Sequence, residues 1–317
     1  MKAPTLLAVP NFSEGRDETT IAAIADALLA GVEGSVRLLD VHSDRDHDRS
    51  VFTLAGDPSA LVEGLMAGAR VACERIDVVT RPPEQERLRG QHPHVGALDV
   101  APIVYVEEAA RGAACATALV LADRIGAELA IPVFLYGELT QAPGGDARTR
   151  AELRRGGVQG LAARMDPSAR SGSDAIELPP LRADFGPQHT HASAGATLVA
   201  ARPPLVAFNL QLAPPARIED ARAVAARIRE GGEDGLPGLR AIAVALAGGV
   251  AQVSTNVERP LELPIVRVVE AVARIHPVAS VELVGLAPAA ALQGLPAGLP
   301  MPGFDPARHI IENALGC

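Results

Sequence analysis

Four of the eight histidines fall in two short polar segments, His42-Ser43-Asp44-Arg45-Asp46-His47-Asp48-Arg49 and His92-Pro93-His94. An imidazole titrates near neutrality, so either segment could supply a general acid or base. His92 and His94 are two residues apart, which turns both side chains the same way on an extended chain. With His42 or Asp46 from the other segment they would offer three protein ligands and one open position, the pattern of catalytic zinc. Without a metal, the same residues would serve proton transfer and anion binding. A further pair, His189 and His191, follows Asp184-Phe185-Gly186-Pro187, and Asn11 lies in Pro10-Asn11-Phe12-Ser13-Glu14-Gly15. Each piece also has an ordinary reading. Loop histidines are commonly solvated, and Asp44, Asp46 and Asp48 are turn formers through side-chain to backbone bonds.

The elements that must position these residues are readable from periodicity. Leu6 to Val9 is an apolar run closed by Pro10, and Ile21, Ile24, Ala25, Leu28 and Leu29 then follow helical spacing, with Asp17 as N-cap and Gly31 as stop. Ser35 to Val41 and Ser50 to Ala55 read as strands joined by the first histidine segment. Asp57-Pro58 opens a helix to about Ile76, Val100 to Val106 is a strand, Glu107 to Ala130 a helix, and Ile131 to Gly137 a strand. Residues 143–195 have weak periodicity apart from a helix near Thr149 to Met165. Strands are expected at Thr197 to Ala201 and Leu205 to Leu212, and a helix at Arg217 to Arg229. A hairpin across Ala247-Gly248-Gly249, a helix at Ile265 to Ile275 and a strand at Val281 to Gly285 follow. Both halves thus show strand, helix, strand, strand, helix, strand. The expected fold is α/β (α+β): two ferredoxin-like βαββαβ subdomains, each a mixed sheet with helices on one face, spanning 1–185 and 186–317. In this topology the loop after strand one, the loop between strands two and three and the segment before strand four share one end of the sheet. Asn11, the His42–Arg49 segment and His92-Pro93-His94 therefore share one rim.

Composition narrows the partners. The 317 residues carry a formal charge of −9, Lys2 is the only lysine, and no tryptophan is present. Such a chain has no cationic field for nucleic acid or an anionic membrane, and no segment is long and apolar enough to span a bilayer. Cys73, Cys115 and Cys317 are odd in number and scattered, as in reduced, cytoplasmic proteins, and Ala3 to Val9 is too short for a signal peptide. An anionic small-molecule substrate would need a few placed arginines.

Several stretches go further: Val9-Pro10-Asn11-Phe12-Ser13-Glu14-Gly15, His92-Pro93 with Gly96-Ala97-Leu98-Asp99-Val100, Leu135-Tyr136-Gly137-Glu138, Asp184-Phe185-Gly186-Pro187, Gly195-Ala196-Thr197, Leu205-Val206-Ala207-Phe208-Asn209, Ala251-Gln252-Val253-Ser254-Thr255-Asn256 and Leu283-Val284-Gly285-Leu286. In order and along nearly the whole chain, the sequence resembles the formiminotransferase domain of glutamate formimidoyltransferase, with no room for the cyclodeaminase of bifunctional relatives. The resemblance implies a homodimer of two α/β subdomains and transfer of a formimidoyl group from N-formimidoyl-L-glutamate to N5 of tetrahydrofolate. It implies no metal. It assigns His92 as general acid/base, with His42 and His94 beside it. It places Asn11, Asp46, Arg49, Arg148, Arg202, Phe185, Gly186, Pro187, His189, His191 and Gly195 in the substrate and folate site, with Arg154 a further candidate clamp and Phe12, Phe185 and Tyr136 as stacking candidates. The chain departs from the family pattern at His42, where Asp is common, at His94, where Arg is common, and at Asp48, where Asn is common. Thr190 and Ala194 stand where large aromatics are expected. The residues thus leave open a folate-independent enzyme acting on amidines, amides or amines, with or without assistance from a metal such as zinc, and a catalytically silent ligand-binding protein.

Overall fold

The computed structural model describes residues 4–80, 93–141, 146–166 and 179–316. The chain divides into two units, Met1–Pro203 and Pro204–Cys317.

The first unit opens with β1 (Leu6–Ala8) and β2 (Asn11–Phe12), one lane of the sheet interrupted where Pro10 has no N–H to give. Then come α1 (Glu18–Leu29), β3 (Val36–Asp44), β4 (Arg49–Gly56), α2 (Pro58–Arg75) and β5 (Leu98–Val104). This is the expected βαββαβ set, and its strands lie in the order β3, β4, the β1/β2 lane, β5, all antiparallel. Asp17 caps α1 as read from the sequence, accepting the Thr19 N–H at 3.0 Å. The sheet then continues. After α3 (Arg111–Leu129) and β6 (Val133–Leu135), two short helices, α4 (Arg150–Leu153) and α5 (Gly157–Met165), precede β7 (Thr197–Arg202). β7 inserts between β5 and β6, parallel to both.

A boundary at 185 would have put β7 in the second half; the structure moves the division to 203. Parallel strands are joined through long crossovers, so nothing local in Thr197–Arg202 tells which sheet it enters. The expected single helix near Thr149 to Met165 is broken at Gly156, whose φ is +82°.

Helices α1, α2 and α3 cover one face of this sheet. Ile24, Leu28, Leu61, Leu65, Leu121 and Ile125 meet Phe12, Phe52, Leu54 and Ile103 there. At roughly 1.5–3 kcal/mol for each fully buried large apolar side chain, this layer supplies much of the unit's stability. The other face is covered over β5, β7 and β6, where Leu153 of α4 and Leu161 of α5 pack on Val100, Phe134, Tyr136 and Leu198. The expectation of helices on one face is thus corrected: this unit carries helices on both. Glu138 ties the strand ends to α3, accepting from Tyr105 Oη at 2.7 Å and Arg111 Nε at 2.8 Å.

The second unit runs β8 (Val206–Leu212), α6 (Ile218–Ile228), β9 (Leu239–Ala245), β10 (Ala251–Val257), α7 (Ile265–Ala273) and β11 (Val278–Val284), followed by α8 (Pro306–His309) and α9 (Ile311–Leu315). Its strand order is β11, β8, β10, β9, the ferredoxin-like arrangement. Every pairing is antiparallel, so this sheet is not mixed. Val224, Ile228, Val268 and Val272 of its helices bury Phe208, Leu210, Val253 and Val281 on one face.

Candidate active site

The loop end of the first sheet is assembled by backbone contacts that account for the glycine-rich motifs. Ser13 donates from its N–H to Ala97 O at 2.9 Å and from Oγ to Gly96 O at 2.7 Å. Gly96 lies against Ala196 so closely that a Cβ would sit 1.7 Å from its carbonyl oxygen. Gly15 likewise leaves room for Asp44 O, which its Cβ would meet at 2.2 Å. The Gly15 N–H donates to Asp48 Oδ1 at 3.2 Å, and Ser50 Oγ donates to Glu14 O at 2.6 Å. Asp48, at φ +48°, takes the left-handed conformation that Asn and Asp tolerate best among side-chain-bearing residues. Asp here instead of Asn keeps both the turn and the bond to Gly15.

On the sheet face opposite α1 and α2, register places the predicted residues in a row. His42 pairs with Val51, Val51 with Asn11 and Asn11 with Val100. Cross-strand partners share a face, so His42 and Asn11 lie on one side, and Arg49, two residues before Val51, lies on that side too. Tyr136 and Arg154 bound the same area from the layer formed by α4 and α5. Arg154, which caps α4, is buried with its guanidinium hydrogen-bonded to Asp99, and Asp99 also accepts the Val95 N–H at 2.8 Å. Asp99 thus anchors the chain that leads out of Pro93 and His94. Arg150 stands over the Tyr136 ring, 5.9 Å from its centroid.

Among the described residues, four atoms in this area are buried without a hydrogen-bond partner: Arg49 Nε, Arg154 Nε, Asn11 Oδ1 and Tyr136 Oη. Native proteins satisfy the great majority of such groups, so a cluster of them marks a place where something else is to be bound. Burial and then the neighbouring Arg154 charge push the Arg49 guanidinium down to about 10, while Asp44 and Asp99 pull it back up. A buried cation in that situation is stabilised by an arriving anion. Counting Arg49, Arg150 and Arg154 against Asp44 and Asp99, the cluster has three positive and two negative groups. One carboxylate balances it.

The structure gives other work to several residues expected here. Arg148 donates from Nη2 to Asp184 Oδ2 at 2.6 Å, and the same oxygen accepts the Leu135 N–H at 2.8 Å, so Arg148 locks the 184–185 segment to β6. Arg202 lies at the opposite end of β7 and donates to Pro203 O at 3.0 Å. Phe185 packs against the α1–α3 core, and Gly186 allows close approach to Gly126 of α3, where a Cβ would meet Gly126 Cα at 2.9 Å. Pro187 lies in a loop closed by Gln188, which exchanges two 3.1 Å bonds with Ala183. His189 is exposed. His191 is a loop anchor: its Nδ1 accepts the Ala194 N–H at 3.0 Å, and its Nε2 faces Cys73 Sγ at 3.8 Å. Gly195 lets the backbone cross Val95. Phe12 is fully buried edge-on against Phe52, so of the three stacking candidates Tyr136 alone borders the cluster.

Asp46 sits at the β3–β4 turn, its N–H given to Asp44 Oδ1 at 2.8 Å. His94 is half-buried before Val95. His92 lies outside the described residues. Among the described residues no three His, Cys, Asp or Glu side chains are grouped to hold a metal ion. Arg150 was not foreseen. Its signal was the capping pattern Thr149-x-x-Glu152, which starts a helix and puts residue 150 in its first turn.

Fold and site together define a two-unit α/β protein with a cluster of arginines, two of them buried with an unpartnered Nε, on its first sheet. Residues 5–202 match the sequence model of the family described as "Formiminotransferase domain, N-terminal subdomain", an interval that ends with β7. The chain is 34% identical over 316 residues to the glutamate formimidoyltransferase of Streptococcus pyogenes serotype M1, covering 97% of each. It is 36% identical over 291 residues to that of Thermoplasma acidophilum, covering 90% of this chain and 88% of the relative. Against the formimidoyltransferase-cyclodeaminase of Gallus gallus it is 34% identical over 295 residues, 90% of this chain and 50% of the relative. The chain belongs to the formiminotransferase family and is a transferase.

Proposed function

We propose that this transferase moves a formimidoyl group from N-formimidoyl-L-glutamate to tetrahydrofolate. The observation that carries the reading is the buried Arg49–Arg154 pair with unpartnered Nε atoms, beside the equally unpartnered Asn11 Oδ1 and Tyr136 Oη. A glutamate carboxylate supplies the missing acceptor for the arginines, and an N–H of the substrate amide or amidine supplies the missing donor for Asn11. Family membership supplies the reaction class. The buried acceptor, hydroxyl and guanidinium groups suit polar, carboxylate-bearing substrates of this kind.

In this reading Arg49 and Arg154 fix the glutamate end, so the formimidoyl carbon is presented in one orientation, and much of the rate comes from that fixed geometry. His92 takes the proton from the attacking secondary amine as the new C–N bond forms. It then gives a proton to the glutamate nitrogen as the old C–N bond breaks. One imidazole can do both near neutral pH. Small-molecule substrates, a homodimer and a cytoplasmic location belong to the same proposal; Cys73 and Cys115 are free thiols. No helix among the described residues is long and apolar enough to cross a membrane.

The test is an assay of purified protein with N-formimidoyl-L-glutamate and tetrahydrofolate in the presence of a chelator, following the spectrum of the formimidoyl folate. Turnover is expected, and His92→Asn should lower it by about 10²–10⁴-fold. Absence of transfer to the folate, or release of glutamate at the same rate without it, overturns the reading.

A further inference from the structure

Asp44 and Arg49 are directly opposite each other where β3 and β4 enter their turn. Opposite charges at such positions ordinarily pair across the strands. Here they do not. Both oxygens of the Asp44 carboxylate are engaged within the turn: Oδ1 accepts the N–H of Asp46 at 2.8 Å and of His47 at 2.9 Å, and Oδ2 is bound to Nδ1 of His47. Arg49 keeps a buried Nε without an acceptor. His47 is itself a buried histidine, 4% exposed, that the proposed reaction does not use.

We propose that His47 is a positioning residue that withholds Asp44 from Arg49, keeping the arginine open for a substrate carboxylate. The inference rests on the reading of Arg49 as the carboxylate clamp and adds how that clamp is kept free. Each contact has a purpose under it. Although burial raises Asp44, the hydrogen bonds from the His47 side chain and backbone hold it at about 2, so it is ionised throughout the neutral range. An ionised Asp44 at this distance supports the charge of Arg49 through space. Only a direct bond would block it. The imidazole Nδ1–H and the two turn N–H groups occupy three of the roughly four acceptor sites of the carboxylate and hold it turned into the turn. Without His47, the Asp44 side chain loses its partner on Oδ2 and becomes a competitor for the guanidinium.

The experiment is a calorimetric titration of N-formyl-L-glutamate, a stable carboxylate analogue, into wild type, His47→Gln, Asp44→Asn and the double variant. Glutarate serves as a control for the carboxylates alone. His47→Gln should weaken binding by about five- to tenfold. Asp44→Asn removes a negative charge near the bound anion and should tighten binding by about threefold, the size expected of a partly screened charge near a protein surface. The decisive arm is the double variant: with no carboxylate to withhold, it should bind as Asp44→Asn does, so that the second change rescues the first. Transfer kinetics should follow, with KM for the formimidoyl donor moving and kcat held within about twofold. Equal weakening by His47→Gln in both backgrounds, or weakening by Asp44→Asn, would assign the pair a merely structural role and overturn the inference while leaving the clamp in place. A wild-type protein that binds neither carboxylate overturns the clamp itself and the inference with it.

Discussion

At Arg49 the proposed clamp carries a cost in stability. Its guanidinium is buried beside the Arg154 charge and has no acceptor at Nε, which depresses it to about 10. A basic group whose folded value lies below its ordinary one is destabilising while charged, and that cost disappears only as pH rises through the folded value. Arg49→Met keeps an unbranched apolar stem of similar reach and removes the charge. We expect it to raise stability by about 1 kcal/mol, or roughly 2–4 °C in Tm, while abolishing carboxylate binding. A scanning calorimetry trace with Tm lowered would show that Arg49 is instead held by compensating contacts. Arg154 differs because Asp99 neutralises it, so removing Asp99 should leave a buried charge and be costly, whereas removing Arg49 relieves one.

Among the elements, the segments that make the loop end are held by backbone hydrogen bonds in addition to the burial of Val95, Ala97, Ala194 and Ala196. Residues 95–97 bond to 194–196 on one side and to Ser13 on the other, through Ala97 N–H to Ala194 O at 2.9 Å, Ala196 N–H to Val95 O at 2.9 Å and Ser13 N–H to Ala97 O at 2.9 Å. Gly96 is where these backbones come closest. Gly96→Ala forces the Ala196 carbonyl aside and should cost roughly 1–3 kcal/mol, as overpacking does elsewhere. Urea unfolding should show a lower midpoint with an unchanged slope, together with a raised KM. An unchanged midpoint would mean that the segment yields freely and does not hold the site. The same frame gives His191 its place four residues before Gly195: its Nδ1 holds the turn that brings Gly195 onto Gly96.

For the molecule as a whole, the position of β7 decides what is a folding unit. It contributes Val199 and Ala201 to the α1–α3 core and Leu198 and Ala200 to the opposite layer. It is also the strand that joins β6 to the rest of the sheet. A fragment ending at 203 should therefore unfold cooperatively with dispersed amide resonances, and one ending at 185 should not. The 204–317 fragment, with its own four-stranded sheet and two packed helices, should fold by itself. If 1–185 proves as well folded as 1–203, β7 is dispensable and the division at 203 loses its physical basis.

Periodicity alone carried the secondary structure, because helical and strand spacing are local properties: Ile24 and Leu28 on α1, Leu61 and Leu65 on α2, and the hairpin about residues 247–249 fall where their spacing puts them. The ferredoxin-like order followed from that alternation, and with it the expectation that Asn11 and the 42–49 segment share one rim; that Asn11, His42 and Arg49 lie in strands and on one sheet face was decided by register. Tertiary structure decided the rest. Membership of β7 in the first sheet depends on a pairing almost a hundred residues away, Val100 with Leu198. Which arginine is a clamp and which a strut was equally hidden, because Arg49, Arg148, Arg154 and Arg202 are the same residue type in sequence. Only their neighbours separate them: an Nη of Arg148 meets Asp184, one of Arg202 meets Pro203 O and one of Arg154 meets Asp99, whereas Arg49 is set beside the Arg154 charge; the Nε atoms of Arg49, Arg154 and Arg202 are alike buried without a partner among the described residues. Hydrogen-bond satisfaction is a property of three-dimensional neighbours, so no spacing in the sequence reveals which arginine has an acceptor.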